Sequence, residues 1–237
     1  MATYFISDIH GEYDLFCKLL EKIDFQNKDR MIVLGDFLDK GRQPIKLAKL
    51  ILSMPNIEAI CGNHEALFIR YYQSQMRDFN DGDGIGGVLE KLQNYFYEEA
   101  EKLTWDIVDY IEALPRYIET SDFICVHAGV GLSDAAEILP MCGQEPNMLI
   151  FDRQLACDYI IPKNSKTVLF GHTPCHYQNG TGEIIKTPRP GCGFLSNRIG
   201  DFAKIQLDNG VSYTKMLGAL RLEDMREFYV KGQGIDN

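Results

Sequence analysis

Positive charge is scarce in this 237-residue chain, where 24 Lys and Arg stand against 34 Asp and Glu for a formal charge of −10. A surface that embraces nucleic acid needs clustered cations, so no nucleic-acid binding is expected. A small anion would have to be drawn by a strong local source of positive charge, such as a metal. No apolar run approaches the roughly 20 residues that span a bilayer. The sequence enters Tyr4-Phe5-Ile6 without a basic stretch and long apolar core before it, so neither membrane insertion nor secretion is expected. The seven cysteines, at 17, 61, 125, 142, 157, 175 and 192, contain no C-x-x-C pair. An odd, scattered set reads as reduced thiols in a cytoplasm, not as a disulfide framework or a zinc knot. Repeats, low-complexity tracts and long linkers are also missing. The 45% of hydrophobic and 24% of charged residues are ordinary globular proportions, enough for a core in one domain spanning 1–237.

Short β-type runs at 3–7, 31–34, 57–60, 123–126 and 167–170 each lead into a polar turn. Leu15, Phe16, Leu19, Leu20 and Ile23 form an apolar stripe at helical spacing, as do Ile45, Ala48, Ile51 and Leu52. The first 65 residues therefore read βαβαβ, the start of a layered α/β architecture. A mainly helical excursion follows at about 65–115, with stripes at Val88, Leu92, Tyr95 and Phe96 and at Ile107, Val108 and Ile111, broken at Asn80-Asp81-Gly82-Asp83-Gly84. Alternating segments at 183–186, 202–207 and 211–216 predict antiparallel sheet, with Asp208-Asn209-Gly210 as a hairpin turn.

Five strand ends carry side chains of the metal-ligating kind: Asp8-x-His10, Gly35-Asp36-x-x-Asp39, Gly62-Asn63-His64-Glu65, His127-Ala128-Gly129 and Gly171-His172-Thr173-Pro174. Taken singly, each is competitive with a polar turn or a helix N-cap. Together they are not, because the C-terminal ends of strands in an open α/β sheet are where separate loops converge on one ligand. Four of the five histidines fall in these motifs, and mixed histidine and carboxylate donors suit manganese, iron or zinc better than calcium or magnesium.

In these motifs the sequence resembles the calcineurin-like metallophosphoesterases, most closely the small bacterial and phage serine/threonine protein phosphatases. Their pattern is D-x-H, G-D-x-x-D-R-G, G-N-H-E, H-A-G and G-H-T, and Gly86-Gly87 before a helix and Phe151-Asp152-Arg153 look like further pieces of it. The resemblance implies an α/β (α+β) sandwich of two mixed sheets flanked by helices in four layers. It implies two divalent ions, manganese first and iron or zinc as the other candidates. Asp8 and His10 would hold one, Asp36 would bridge both, and Asn63, His127 and His172 would complete the second. A shared carboxylate suits two ions ~3.5–4 Å apart that clamp an in-line displacement at phosphorus by a metal-bound hydroxide. Asn63, also placed at the substrate phosphate, ligates without cancelling charge. His64 is the expected general acid, its other nitrogen held by Asp39.

The pattern is broken at Lys40, where the phosphatases have arginine; a lysine offers a point charge in place of a planar fork. Lys40, Arg42 and Arg153 are the candidate phosphate-binding cations. His176 reads as a loop residue near the ligands, Glu65 as structural support or an exposed helix-start acid, and Trp105 as an anchor of the helical segment. The aromatics Tyr71, Tyr72, Tyr95, Phe96 and Tyr97 read as core. The leading expectation is a phosphomonoesterase acting on phosphoserine or phosphothreonine in a protein, or on a small phosphate ester. A dinucleoside polyphosphate hydrolase of the Ap4A type is the enzymatic alternative, and a metal-holding, phosphate-binding scaffold the non-enzymatic one.

Overall fold

The computed structural model describes residues 1–77, 84–96, 101–192 and 196–232; the expected break at 80–83 and Tyr97 lie outside them. β1 (Thr3–Ile6), β2 (Arg30–Val33) and β3 (Ile57–Ala59) run parallel, joined by α1 (Tyr13–Lys22) and α2 (Pro44–Ser53). Three helices follow, α3 (Asn63–Arg77), α4 (Gly84–Gln93) and α5 (Trp105–Glu112). The chain then builds β4 (Tyr117–Glu119), β5 (Phe123–Val126), α6 (Pro146–Phe151), β6 (Thr167–Phe170), α7 (His176–Asn179), β7 (Ile185–Pro188) and β8 (Phe202–Gln206). After α8 (Val211–Thr214), β9 (Met216–Arg221) and β10 (Glu227–Lys231) return to the first sheet. The two five-stranded sheets have the orders β10-β9-β1-β2-β3 and β4-β5-β6-β8-β7. Both are mixed: β5, β6 and β8 are mutually parallel, while β4, β7, β9 and β10 pair antiparallel.

Two-residue alternation sorts the side chains into layers. Tyr4 and Ile6 of β1, with Met31 and Val33 of β2, face the stripes of α1 and α2. Phe5, Ile32 and Leu34 point the other way and meet Phe123, Cys125, Leu169, Phe202, Ile205 and Leu220 between the sheets. On the far side Ile124, Val126, Val168 and Phe170 pack under Leu149, Ile150 and Leu155. The result is helices, sheet, sheet, helices, as expected. Val88, Leu92, Phe96, Ile107, Val108 and Ile111 join the first of these cores. Tyr71, Tyr72 and Tyr95 pack against it, and Trp105 meets Tyr72 edge-on at 6.3 Å, which ties α5 to α3.

One topological expectation is overturned. Asp208-Asn209-Gly210 does not close a hairpin, because β8 belongs to the second sheet and β9 to the first. Residues 207–215 cross between the sheets, and the expected strand at 211–216 begins instead as the short helix α8. The antiparallel portion lies in the pairs β7–β8 and β9–β10. The edge strands β4 and β10 escaped the sequence reading, and their half-buried side chains explain why.

The sheet-to-sheet contact is led by Phe5 and Phe123, edge to face with ring centroids 5.1 Å apart. Phe5 is fully buried. Phe5→Ala is therefore expected to destabilise the fold by about 3–5 kcal/mol, read as a lower midpoint in urea unfolding.

Candidate metal centre

Six parallel strands, three from each sheet, deliver their C-terminal loops to one place. β1 leads to Asp8 and His10, β2 to Asp36, Asp39 and Lys40, β3 to Asn63 and His64, β5 to His127, β6 to His172 and β8 to Asp208. The backbone is bent hard to do this. Ten non-glycine residues among those described have positive φ, and six are Asp8 (+52°), His10 (+48°), Asp36 (+53°), Asp39 (+67°), Lys40 (+61°) and His172 (+64°). Each such residue costs on the order of 1 kcal/mol or more and persists only where its surroundings hold it.

Those surroundings are hydrogen bonds between loops. Asp8 N–H donates to Gly35 O (3.2 Å), His10 N–H to Asp36 O (2.9 Å) and Gly171 N–H to His127 O (2.8 Å). The fully buried Glu65 carboxylate accepts from three backbone amides: Asp36 N (2.7 Å), Leu38 N (2.9 Å) and Gly62 N (2.9 Å). Glu65 is therefore structural support, and the expectation of an exposed helix-start acid is wrong, since tertiary packing closes over the first turn of α3. Gly62 and Gly171 are required by close approach: a Cβ on Gly62 would strike the Asp36 carboxylate and amide, and one on Gly171 the Ser7 hydroxyl and the Asp8 carboxylate.

Asp36 Oδ2 is the centre of the cluster. It lies 3.9 Å from His10 Nε2, 3.8 Å from His64 Nε2 and 3.4 Å from His127 Nε2. Asp8 directs Oδ2 to the Ser7 hydroxyl (2.5 Å) and His172 N–H (3.0 Å), while Oδ1 stands 4.0 Å from His10 Nε2. Asn63 Oδ1 lies 3.0 Å from His127 Nε2 and 2.8 Å from His172 Nδ1. All six predicted ligands therefore converge. Two groups among the described residues bring ligand atoms close enough for one cation each, His10 with Asp36 and His64, and Asp36 with His127 and His172. They share Asp36, and His64 stands as near to it as His10 does.

Electrostatics shows that the donor set fits divalent cations. Burial pulls His127 down, but the Asp36 charge and hydrogen bond, with help from Asp8, hold it up at about 10. Its Nδ1 donates to Leu34 O at 2.8 Å, which aims its Nε2 at Asn63 Oδ1 and Asp36 Oδ2. Burial resists ionisation of Asp36 as well, yet His127, His10 and His64 hold it well below the carboxylate range. His10 is lowered to about 4 and His172 to about 4, both first by burial, which favours the neutral imidazole in each. His10 Nε2 accepts from Lys40 Nζ at 3.0 Å. At the His10 position, then, the Lys40 ammonium already sits against a donor that a cation would use.

Around this cluster runs a cleft of about 130 Å³, lined by most of the centre together with Lys40, Arg153, Tyr177, Asp208 and Tyr213. Lys40 and Arg153 reach it, and Arg153 Nη1 donates to the Thr173 hydroxyl (3.3 Å). Arg42 is exposed and outside that lining. His64 Nδ1 lies 2.9 Å from Asp39 Oδ2. Burial lowers His64, but the bond to Asp39 and the Asp36 charge outweigh it and leave the ring above its ordinary value. His176 is not among the cluster donors; its ring packs, tilted, against those of Tyr177 and Tyr213. Asp208 was missed by sequence reasoning. It is buried, accepts from Gly210 N–H (2.8 Å), and is pushed well up by burial and then by the charges of Asp8 and Asp36. The available signal was its place: a carboxylate just past a strand end, as at Asp8 and Asp36.

A family model described as calcineurin-like phosphoesterase matches residues 1–187. Among curated relatives, the symmetrical bis(5'-nucleosyl)-tetraphosphatase of Cellvibrio japonicus is 28% identical over 184 residues, 73% of this chain and 59% of that protein. Its namesake in Buchnera aphidicola is 29% identical over 151 residues, 61% and 50% respectively. The chain thus spans about half the length of the curated relatives it matches. Among solved structures, that of a candidate diadenosine tetraphosphatase superposes with a TM-score of 0.68 at 17% identity, covering 98% of this chain and 94% of the other. A metallophosphoesterase from Sphaerobacter thermophilus gives 0.57 at 16%, covering 98% and 89%. At these identities the structural likenesses speak for the sandwich of two five-stranded sheets.

Because Glu65 alone satisfies three buried amides of two loops, Glu65→Ala is expected to destabilise the chain by about 3 kcal/mol or more. It should also lower the content of bound divalent metal in dialysed protein. Urea unfolding and elemental analysis check the two halves; unchanged metal content would mean the loops hold their shape without this carboxylate.

Proposed function

The chain belongs to the calcineurin-like phosphoesterase family, and on that premise we propose that it is a metal-dependent phosphoesterase whose substrates are dinucleoside polyphosphates. The observation that carries the hydrolytic reading is Asp36, a buried carboxylate with imidazoles from three separate loops within 4 Å of one oxygen. In this reading Asp8, His10 and Asp36 hold one cation, and Asp36, Asn63, His127 and His172 hold the other. A divalent pair, when bound, neutralises phosphate charge and acidifies water.

The other residues bind, orient and move a proton. Lys40 and Arg153 supply mobile positive charge to phosphate oxygens in the cleft, and Asn63 presents a neutral amide beside them. His64 donates the proton on Nε2 to the departing oxygen, while Asp39 holds Nδ1 and fixes the ring. Such help matters most for a poor leaving group. An alkoxide needs it, whereas a nucleotide phosphate leaves readily without it.

The choice of substrate rests on the relatives, which are named as symmetrical bis(5'-nucleosyl)-tetraphosphatases, and on Lys40. A point charge serves a flexible polyphosphate chain well, but it lacks the two-pronged grip that fixes a single phosphoryl group. The phosphoserine or phosphothreonine phosphatase reading keeps one specific support, the His64–Asp39 pair at 2.9 Å. That pair suits an alkoxide leaving group.

A turnover panel decides between them, using diadenosine tetraphosphate, phosphoserine and phosphothreonine peptides and a simple monoester, with manganese, iron and zinc exchanged. The dinucleotide is expected to show the highest kcat/KM. A phosphopeptide preferred by about tenfold would overturn the substrate, and no turnover with any metal would leave a phosphate-binding scaffold. His64→Asn is expected to slow an alkyl monoester by roughly 100-fold or more, but diadenosine tetraphosphate far less. An equal loss on both would remove the acid role.

A further inference from the structure

Three aromatic side chains stand at the cleft and take no part in the chemistry above. His176 opens α7, Tyr177 follows it, and Tyr213 comes from α8 in the crossing between the sheets. The His176 ring lies 4.2 Å from that of Tyr177 and 5.1 Å from that of Tyr213, centroid to centroid, and the tyrosines are 6.1 Å apart. Both tyrosines line the same cleft as Asp36, Asn63, His64, Lys40 and Arg153.

These rings are exposed but held in place. Tyr177 is 61% exposed and Tyr213 67%, unusual for large side chains at the mouth of a site. His176 is the floor between them, and it fits because Gly210 has no side chain; a Cβ there would lie 2.5 Å from His176 Nδ1. The two tyrosine rings are tilted to each other by 54°. Two short elements from different parts of the chain are thereby brought into one aromatic cluster, with both tyrosines exposed. Packing does not explain them, because neither ring is needed to cover the core.

The geometry points to a nucleobase-stacking platform: Tyr177 and Tyr213 receive the base of a nucleoside polyphosphate whose phosphate chain runs along Lys40 and Arg153 to the metal centre. Aromatic faces bind any base, because every base has a π-face. A phosphate chain gives the cleft affinity but no means of telling a nucleotide from inorganic polyphosphate. The aromatic surface supplies that distinction at the mouth of the same cleft. The inference rests on the nucleoside polyphosphate reading of the cleft and adds the residues that recognise the nucleoside.

The test is calorimetric titration of the full chain with the α,β-methylene analogue of ADP and, separately, with methylenediphosphonate, which has the same bridged phosphates and no base. Tyr177→Ala combined with Tyr213→Ala is expected to weaken the ADP analogue about tenfold more than methylenediphosphonate, as for the loss of an aromatic stacking partner. Tyr177→Phe combined with Tyr213→Phe keeps the rings and should stay within about twofold of the unaltered chain. Equal effects of the alanine pair on both ligands would overturn the platform, as would a phosphoserine peptide weakened as much as the ADP analogue. The parent reading fails differently, by absence of diadenosine tetraphosphate turnover in the unaltered chain. Unfolding midpoints of both double variants separate loss of stacking from loss of fold.

Discussion

The contact between Asp36 and His127 joins the two halves of the molecule at the one point where chemistry is intended. Asp36 ends a strand of the first sheet and His127 a strand of the second, and their side chains meet at 3.4 Å. For that to happen the two sheets must face each other with their strand ends aligned. The loops must also bend back over the edge through left-handed backbone, which is uncommon outside glycine although aspartate and histidine adopt it more readily than most residues. Glu65, Gly62 and Gly171 make the bend possible, one by occupying three amides and two by leaving no side chain where a carboxylate must pass. The apolar layers are the same arrangement seen from below. Phe5 and Phe123, one residue type on either face, set the sheets at the distance that brings the loops together.

The electrostatic problem created by this convergence explains why an acidic chain can be built to handle phosphate. Asp8, Asp36, Glu65 and Asp208 are all buried near one another. Lost hydration first, and then mutual repulsion, drive Asp8 up to about 6 and Glu65 up to about 7, and raise Asp208 well above the ordinary carboxylate value. Only Asp36 is held low, because the imidazoles surround it. Such a group of carboxylates is stable only with positive charge inserted among them, and a proton on His127 with the ammonium of Lys40 is the least the chain can supply. Divalent cations supply more, and they reverse the sign of the field at the cleft floor. The net charge of −10 thus works for selectivity: an anion is welcome only where the cations are.

Much of this was legible in the sequence because the ligands sit in runs that physics makes recognisable. A buried strand, a glycine and then a polar donor mark Asp36, Asn63 and His172, and the apolar stripes marking α1 and α2 fix the parallel half of the fold. The failures share a cause. Asp208-Asn209-Gly210 between two alternating segments is a sound hairpin signal locally, yet alternation cannot say to which sheet a strand belongs. Once β9 was assigned to the wrong neighbour, a strand-end carboxylate looked like turn chemistry. Glu65 was left between structural support and an exposed acid because only packing decides whether the first turn of a helix is covered. Tyr177 and Tyr213 carried no pattern at all, being single aromatics in four-residue helices. Arg42, close in sequence to Lys40, lies outside the cleft because α2 begins at Pro44, two residues later, and carries the chain away.

Division of labour between the two ends of the cleft follows from what each can distinguish. A metal centre responds to charge and to the geometry of oxygen around phosphorus, and those are common to phosphoserine, a simple monoester and a dinucleotide. The strand-end residues are correspondingly buried, strained and interlocked, so that any change there disturbs the whole cluster. Discrimination has to come from groups that touch the rest of the substrate. Lys40, Arg153, Tyr177 and Tyr213 meet that condition: they are exposed, they line the cleft, and they stand on segments that bear little of the core. Substrate choice can therefore change at the rim with small effects on the centre, whereas the centre cannot change without the fold. The lysine at position 40 fits that logic, since it puts a point charge in place of a planar fork at the rim while leaving Asp36 and its three imidazoles in place.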